Sequence, residues 1–407
     1  MIIKKAKDIK IFNFMNKEYH IQEQINRVSR EKNKKIKIKG STTAKLLFVG
    51  MFFREKSINQ IMEKTHKRKK FNNFFTKNER IPKMHKFRDG IKDLNLESLK
   101  KINKNIIRKA KENKIYRQGT IENLVVVGID GTENFGSYKN FWKNCYKCKI
   151  KNQKYIDGKK QIVEEEYHKQ INVFERIVEK RPGVVLDYEK ITCNGNEGKQ
   201  EYEPNVAIKL INRLRNVYGN GVDVIVGDAI YLKDTVIEAL QSNKYVGVFR
   251  LKDNNKKILE DAKGLFKMKK SQKLKLQKKD IEYWSDIFDY KDYKVKVVKY
   301  IEIKEKKEKK EIYVVCTDTN LNKRTINKII HARWEIENEG FNELKNGWNM
   351  KHCYIGDEKA IDVILQMIIM SYNIWELYLY GHLHEFEKNN MTKLGYIEMK
   401  TTLRFCP

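Results

Sequence analysis

Proline is nearly missing from this chain of 407 residues, with 4 in all. No proline-rich linker divides it, and domain limits have to be sought in changes of texture. Cysteine is scarce as well. Its 6 copies show no dense spacing, which excludes a disulfide framework and fits a reducing, cytoplasmic compartment. No stretch reaches the roughly 18 uninterrupted apolar residues of a membrane helix. The nearest, residues 360–383, is broken by Asp362, Gln366, Ser371, Asn373 and Glu376 and reads as a buried helix. The opening residues lack the apolar core of a signal peptide. Acidic residues are the last shortage: 53 of them face 85 lysines and arginines, a formal charge of +32.

That excess predicts a polyanionic partner, with nucleic acid ahead of membrane, although a lysine- and asparagine-rich codon bias contributes to it. Hydrophobic residues make up 40% of the chain, enough for a core, so wholesale disorder is excluded. Residues 1–120 read as helical and basic. Ser57 followed by Gln60 forms a capping-box pattern, and Pro82 stands at an expected first helical position. The second of these helices carries Lys83, His85, Lys86 and Arg88. Two readings fit equally: a helix-turn-helix-like DNA reader, or an ordinary basic bundle.

Texture changes at 121. "NLVVVGIDG" is a continuous apolar run that ends on Asp130 and Gly131, the signature of a buried strand. Strand-like segments follow at 164–179 and 183–191, then a helix from 203, a strand "GVDVIVGDAIYL" ending at Asp228, a helix from about 233, and a strand at 244–252. Residues 253–318 are lysine-heavy and β-rich, with a charged tip expected at 304–311. The spacing therefore predicts an α/β protein: a mixed sheet flanked by helices over 121–252 and 319–385, an inserted β-rich element over 253–318, and a C-terminal tail over 386–407.

Three acids stand out by position. Asp130 and Asp228 each close an apolar strand beside small residues, where side chains emerge at a sheet's carboxyl edge. Glu337 belongs to "IIHARWEIENEGFNELKNGW". At about 100° per residue, Ile330, Trp334, Phe341, Leu344 and Trp348 form an apolar stripe with Glu337 near its centre, while Glu335, Glu339 and Glu343 fall on the solvated face. A carboxylate on a buried face needs a cation or a metal. For Glu337 this is either an ion pair with Arg333, four residues earlier, or a divalent ion. An Asp before Gly is otherwise an ordinary turn residue. If the late helix packs beside the two strands, the three carboxylates converge into a site for hard cations.

The order of elements and the motifs "GIDGTEN", "VGDAIYL" and "RWEIENEGFNELKN" resemble the ribonuclease-H-like catalytic domain of DDE transposases from bacterial insertion sequences, in the insertion sequence four superfamily. The resemblance spans roughly residues 80 to 380. It implies that Asp130, Asp228 and Glu337 bind two Mg²⁺ ions, for which Mn²⁺ can substitute, and that Arg333 and Lys345 hold DNA phosphates. Two departures mark this chain: Ile330 stands where many members have tyrosine, and Lys345 follows Glu337 by eight residues rather than seven. The resemblance also implies double-stranded DNA as partner, both terminal inverted repeats and target. A homodimer in the DNA complex and nucleoid association when DNA is bound are implied with it. Trp284 matches a tryptophan that stacks on a flipped base in some relatives; packing within the β element is its other reading. Alternatives of the same fold are a metal-dependent nuclease without strand transfer and a non-catalytic DNA-binding derivative. Separately, Cys145 and Cys148 in "CYKC" form half a zinc site that His168 and Cys193 would complete, or are plain thiols.

Overall fold

The computed structural model describes residues 11, 14–28, 39–67, 79–115, 120–138, 146–156, 159–178, 182–194, 199–200, 202–275, 280–303, 309–380 and 392–402. Its centre is a strand with almost no polar alternation. Val126, Val127 and Ile129 are all buried, as expected of a strand covered on both faces. This strand, β1 (Val126–Ser137), runs on well past Asp130. The expectation that Asp130 ends the strand is therefore corrected. The residues beyond it, Gly131 to Asn134 and Gly136 to Ser137, keep partners in β3 around a bulge at Phe135 and so stay in the ladder.

A hairpin follows: β2 (Tyr146–Ile156) and the 19-residue β3 (Lys159–Ile177). Sequence reading missed β2, where Tyr146, Cys148 and Ile150 alternate with lysines, and it began β3 too late. After β4 (Val185–Lys190) come an amphipathic helix (Glu203–Tyr218), β5 (Val224–Gly227), a helix (Asp234–Ser242) and β6 (Val246–Arg250). β4 pairs β3, β3 pairs β1 antiparallel, and β1, β5 and β6 run parallel. This order, β4-β3-β1-β5-β6, is consistent with the ribonuclease-H-like fold expected from the sequence.

The lysine-heavy segment contributes a helix (Lys256–Met268) and four strands, β7 (Gln272–Lys275), β8 (Asp280–Tyr290), β9 (Tyr293–Ile303) and β10 (Lys309–Cys316). These extend the same sheet, because β10 pairs β6 antiparallel. Residues 304–308 of the charged tip lie outside the described residues.

Helices Gly40–Phe52, Ile58–Lys67, Met84–Lys92 and Leu96–Glu112 precede the sheet. Ser57 and Gln60 form the expected cap: Gln60 N–H donates to Ser57 Oγ at 3.1 Å and Lys56 N–H to Gln60 Oε1 at 2.9 Å. Pro82 lies two residues before its helix, which Lys83 caps. Between helices Ile58–Lys67 and Met84–Lys92, residues 68–78 of the basic connection lie outside the described residues. Helix Gly40–Phe52 is buried nearly throughout and packs on helix Glu358–Tyr378, where the Phe52 and Trp375 rings stack at 5.1 Å. The latter helix alone, among the described residues, is long and apolar enough to cross a membrane, yet its apolar window is 94% buried inside the protein. That matches the buried helix expected there.

Candidate active site

Register brings the first two acids level. β1 and β5 pair as Val126↔Val224, Val127↔Ile225 and Gly128↔Val226, a register that, carried two steps on, directs Asp130 towards Asp228. Asp228 follows the end of β5 and caps a short 3₁₀ turn, Ala229–Tyr231. Gly131 N–H donates to Asp130 Oδ1 at 3.0 Å.

The third acid arrives on an unusual element. Helix Lys323–Ala332 gives way at Arg333 to π-helical turns, Ile336–Phe341 and Glu343–Gly347, and the first of these packs against β1. A π-turn bonds i to i+5, so a wheel drawn at 100° per residue misplaces the side chains beyond Arg333. Ile336 takes the fully buried position. Glu337 is not on the buried stripe; its side chain is 43% exposed. Glu343, expected in solvent, is buried against Lys393, 2.8 Å away. Both expectations are corrected by the same change of helical pitch.

Arg333 is the charge that serves all three acids. Its side chain is buried, and Nη1 donates to Glu337 Oε1 at 2.5 Å. Its field also lowers the pKa values of Asp130 and Asp228. Even so, burial first, then the Glu337 carboxylate and more weakly Glu203, push Asp130 up to about 7. Asp228 stays below the usual carboxylate range: burial pushes it up, but a hydrogen bond from Lys252 Nζ at 2.9 Å, the Ala229 N–H and the charges of Lys252 and Arg333 outweigh that. Asp228 Oδ1 is buried and has no hydrogen-bond partner. Arg250 on β6 completes the cationic setting; burial and the nearby Arg333 lower its pKa.

Beside this cluster opens a cavity of about 400 Å³ lined by Asp130, Glu337, Asn342, Lys345, Asn346 and Lys351. Asp228 does not line it. Burial and the Lys351 ammonium lower the pKa of Lys345, against Glu133 and Asp130, which raise it.

The remaining expected residues lie elsewhere. Trp284 on β8 is not among the residues lining this cavity. Its indole donates to Lys269 O at 2.9 Å, and the Lys299 ammonium lies 5.0 Å from its ring, which supports the packing reading. Lys83, His85, Lys86 and Arg88 are all exposed, with Arg88 reaching Asn59 at 3.3 Å. Cys145 and the side chains of Cys148 and Cys193 lie outside the described residues. His168 is buried beside Glu166, 3.2 Å away.

Sequence reasoning missed Glu203, Tyr231, Lys252 and Lys351. Glu203 opens its helix over Gly131: a Cβ there would lie 2.5 Å from Glu203 Oε1, the tip of a flexible side chain. Tyr231, buried three residues after Asp228, donates to the same oxygen of Glu203. Its motif "VGDAIYL" held the signal. Lys252 and Lys351 had none beyond being lysines among many.

Among the described residues, no three acidic, histidine or cysteine side chains stand close enough to share one ion, so the expected convergence of all three carboxylates is not seen; Arg333 pairs with Glu337 and Lys252 with Asp228. The donors nevertheless fit a hard divalent cation in kind: all are carboxylates, and one keeps a buried, unpartnered oxygen. The family model described as "Transposase DDE domain" matches residues 176–374, just under half the chain. The matched segment holds Asp228, Arg333, Glu337 and Lys345 and stops short of β1 with Asp130. It supports a DDE transposase, a class that generally uses divalent metal ions and acts on DNA. No curated protein matches the chain.

Proposed function

We propose that this chain is a DNA transposase of a bacterial insertion sequence, in the insertion sequence four superfamily. It would cleave at the element's terminal inverted repeats and join the freed 3′-hydroxyl to target DNA. What supports the reading most is the parallel register of β1 and β5, which directs Asp130 towards Asp228 just past the end of β5, together with the Glu337 carboxylate acting on Asp130 from the π-helical segment. Asp130, Asp228 and Glu337 would hold two Mg²⁺ ions, or Mn²⁺ in their place. When bound, such ions supply the Lewis acidity that activates the attacking hydroxyl and offsets charge on the leaving oxygen. For that, Lys252 must release Asp228, which is easy for a half-exposed lysine. Arg333 must also turn from Glu337 towards a DNA phosphate, where its bidentate fork is well suited. Lys345 would hold the scissile strand. Two protomers would bridge the two ends, and the exposed Lys83, His85, Lys86 and Arg88 would contact the repeats.

The test is an in vitro reaction with Mg²⁺ on duplexes carrying the inverted repeats that flank the coding region. Wild-type protein is expected to nick the ends and to join pre-cut ends to a plasmid. Asp130→Asn, Asp228→Asn and Glu337→Gln should each fall to background in both steps while still binding DNA. Nicking without joining would instead establish a nuclease of the same fold. Full activity in any one of the three variants would overturn the assignment.

A further inference from the structure

We propose that Lys351, with Asn342 and Asn346, forms a second phosphate-holding wall that grips the backbone of the cleaved strand next to the phosphate at the acids. This rests on the reading above and extends it to a residue that the family resemblance does not supply. Asp130, Glu337, Lys345 and Lys351 all line the one cavity. The volume, about 400 Å³, falls in the range of sites that enclose small-molecule-sized groups, enough for a nucleotide unit.

The cations of that wall lack what the chain's other site lysines have. Lys252 pairs with Asp228, Lys169 with Glu133 at 2.8 Å, and Lys393 with Glu343. Neither Lys345 nor Lys351 forms an ion pair with a described carboxylate. Glu133, the carboxylate that raises the pKa of Lys345, is already held by Lys169. Two like charges face each other across the wall, and the anion that would settle them is left to a ligand.

The helical pitch completes the arrangement. With i to i+5 bonding, Asn342 follows Glu337 by five residues and lies on the same side, and Asn346 follows one further turn along. Asn346 Nδ2 donates to Asn342 Oδ1, which fixes both amides at the cavity wall. Carboxylates with ammonium and amide donors in one cavity suit a phosphodiester chain: ions at its reacting phosphate, donors at the adjoining one. A duplex groove reader would need no acids, and a free metabolite would need no open end.

The experiment uses full-length protein and fluorescent end duplexes, with affinity measured across KCl concentrations and cleavage measured in Mg²⁺. Removing one phosphate contact lowers the slope of log K against log salt by about 1 and weakens binding to all sequences alike. Lys351→Ala is expected to do so, raising KM while leaving kcat near the wild-type value, and Lys351→Arg should restore the slope. Lys351 is exposed, so an unchanged melting curve will show that the variant folds. A wild-type slope and KM in Lys351→Ala, with wild-type cleavage intact, overturns the wall and leaves the transposase reading standing. If wild-type protein binds DNA without cleaving it, the transposase reading fails, and the salt slope alone then supports or overturns the wall.

Discussion

Glu175 shows how far a single side chain can stand from its ordinary chemistry. It sits on β3 wholly buried, and neither carboxylate oxygen has a hydrogen-bond partner. Burial first, then the Asp187 carboxylate, push its pKa well above the usual value, with Arg213 only partly opposing. The folded chain thus keeps a proton that the unfolded chain releases once pH passes the ordinary carboxylate range. The native state binds more protons, so stability falls as pH rises through that window. In urea titrations from pH 5 to 8, wild-type protein should lose up to about 1.4 kcal/mol per pH unit relative to Glu175→Gln. Parallel curves for the two proteins would show that Glu175 is ionised in the fold.

At the scale of elements, the π-helical segment that carries Glu337 is held from below by charge. Arg176 on β3 is fully buried and donates to the Tyr372 hydroxyl at 3.3 Å, in the fields of Glu376 and Glu343. It lies close under Gly340, where a Cβ would come within 2.7 Å of Arg176 Cδ. Lys393 reaches both acids, Glu343 at 2.8 Å and Glu376 at 3.0 Å. Arg176→Met would leave two buried carboxylates sharing one cation. Removing one partner of a buried pair costs about 3–5 kcal/mol, and denaturant unfolding should show a loss of that size. The same segment marks the limit of what the sequence reveals. Buried strands such as Val224–Gly227 announce themselves through uninterrupted apolar runs, and both aspartates could be placed from those runs alone. Glu343 could not, because its burial depends on a local pitch that no residue pattern signals and on a lysine fifty positions away. β2 is a different case: Tyr146, Cys148 and Ile150 alternate with lysines, a strand signal obscured by the charge, and the lysines face acids across the hairpin, as Lys149 does Glu164 at 2.8 Å.

Across the whole molecule, the basic N-terminal helices share one core with the catalytic sheet. Tyr354 donates to Glu55 O at 2.9 Å and Trp375 to Phe52 O at 3.1 Å. Arg54 donates to Gly347 O at 2.5 Å, at the end of the π-helical segment, and to Leu394 O at 3.5 Å, in the C-terminal helix Lys393–Thr402. That helix therefore acts as a clasp on the acid-bearing turn. Ending the chain after residue 391 removes Lys393 and Leu394 together. Its melting transition is expected to move down by several degrees, with DNA cleavage reduced and the far-ultraviolet helix signal nearly unchanged. An unaltered transition would show that the helix is dispensable.

The pairing of β1 with β5 has one more effect. Neighbouring strands lie about 4.8 Å apart because backbone hydrogen bonds dictate it, and paired ions in phosphodiester chemistry sit about 3.5–4 Å apart. The peptide backbone itself is the gauge for the two aspartates. A slip of a single residue between the two strands would turn Asp130 to the far side of the sheet, while Asp228, just past the end of β5, answers also to the short turn it caps.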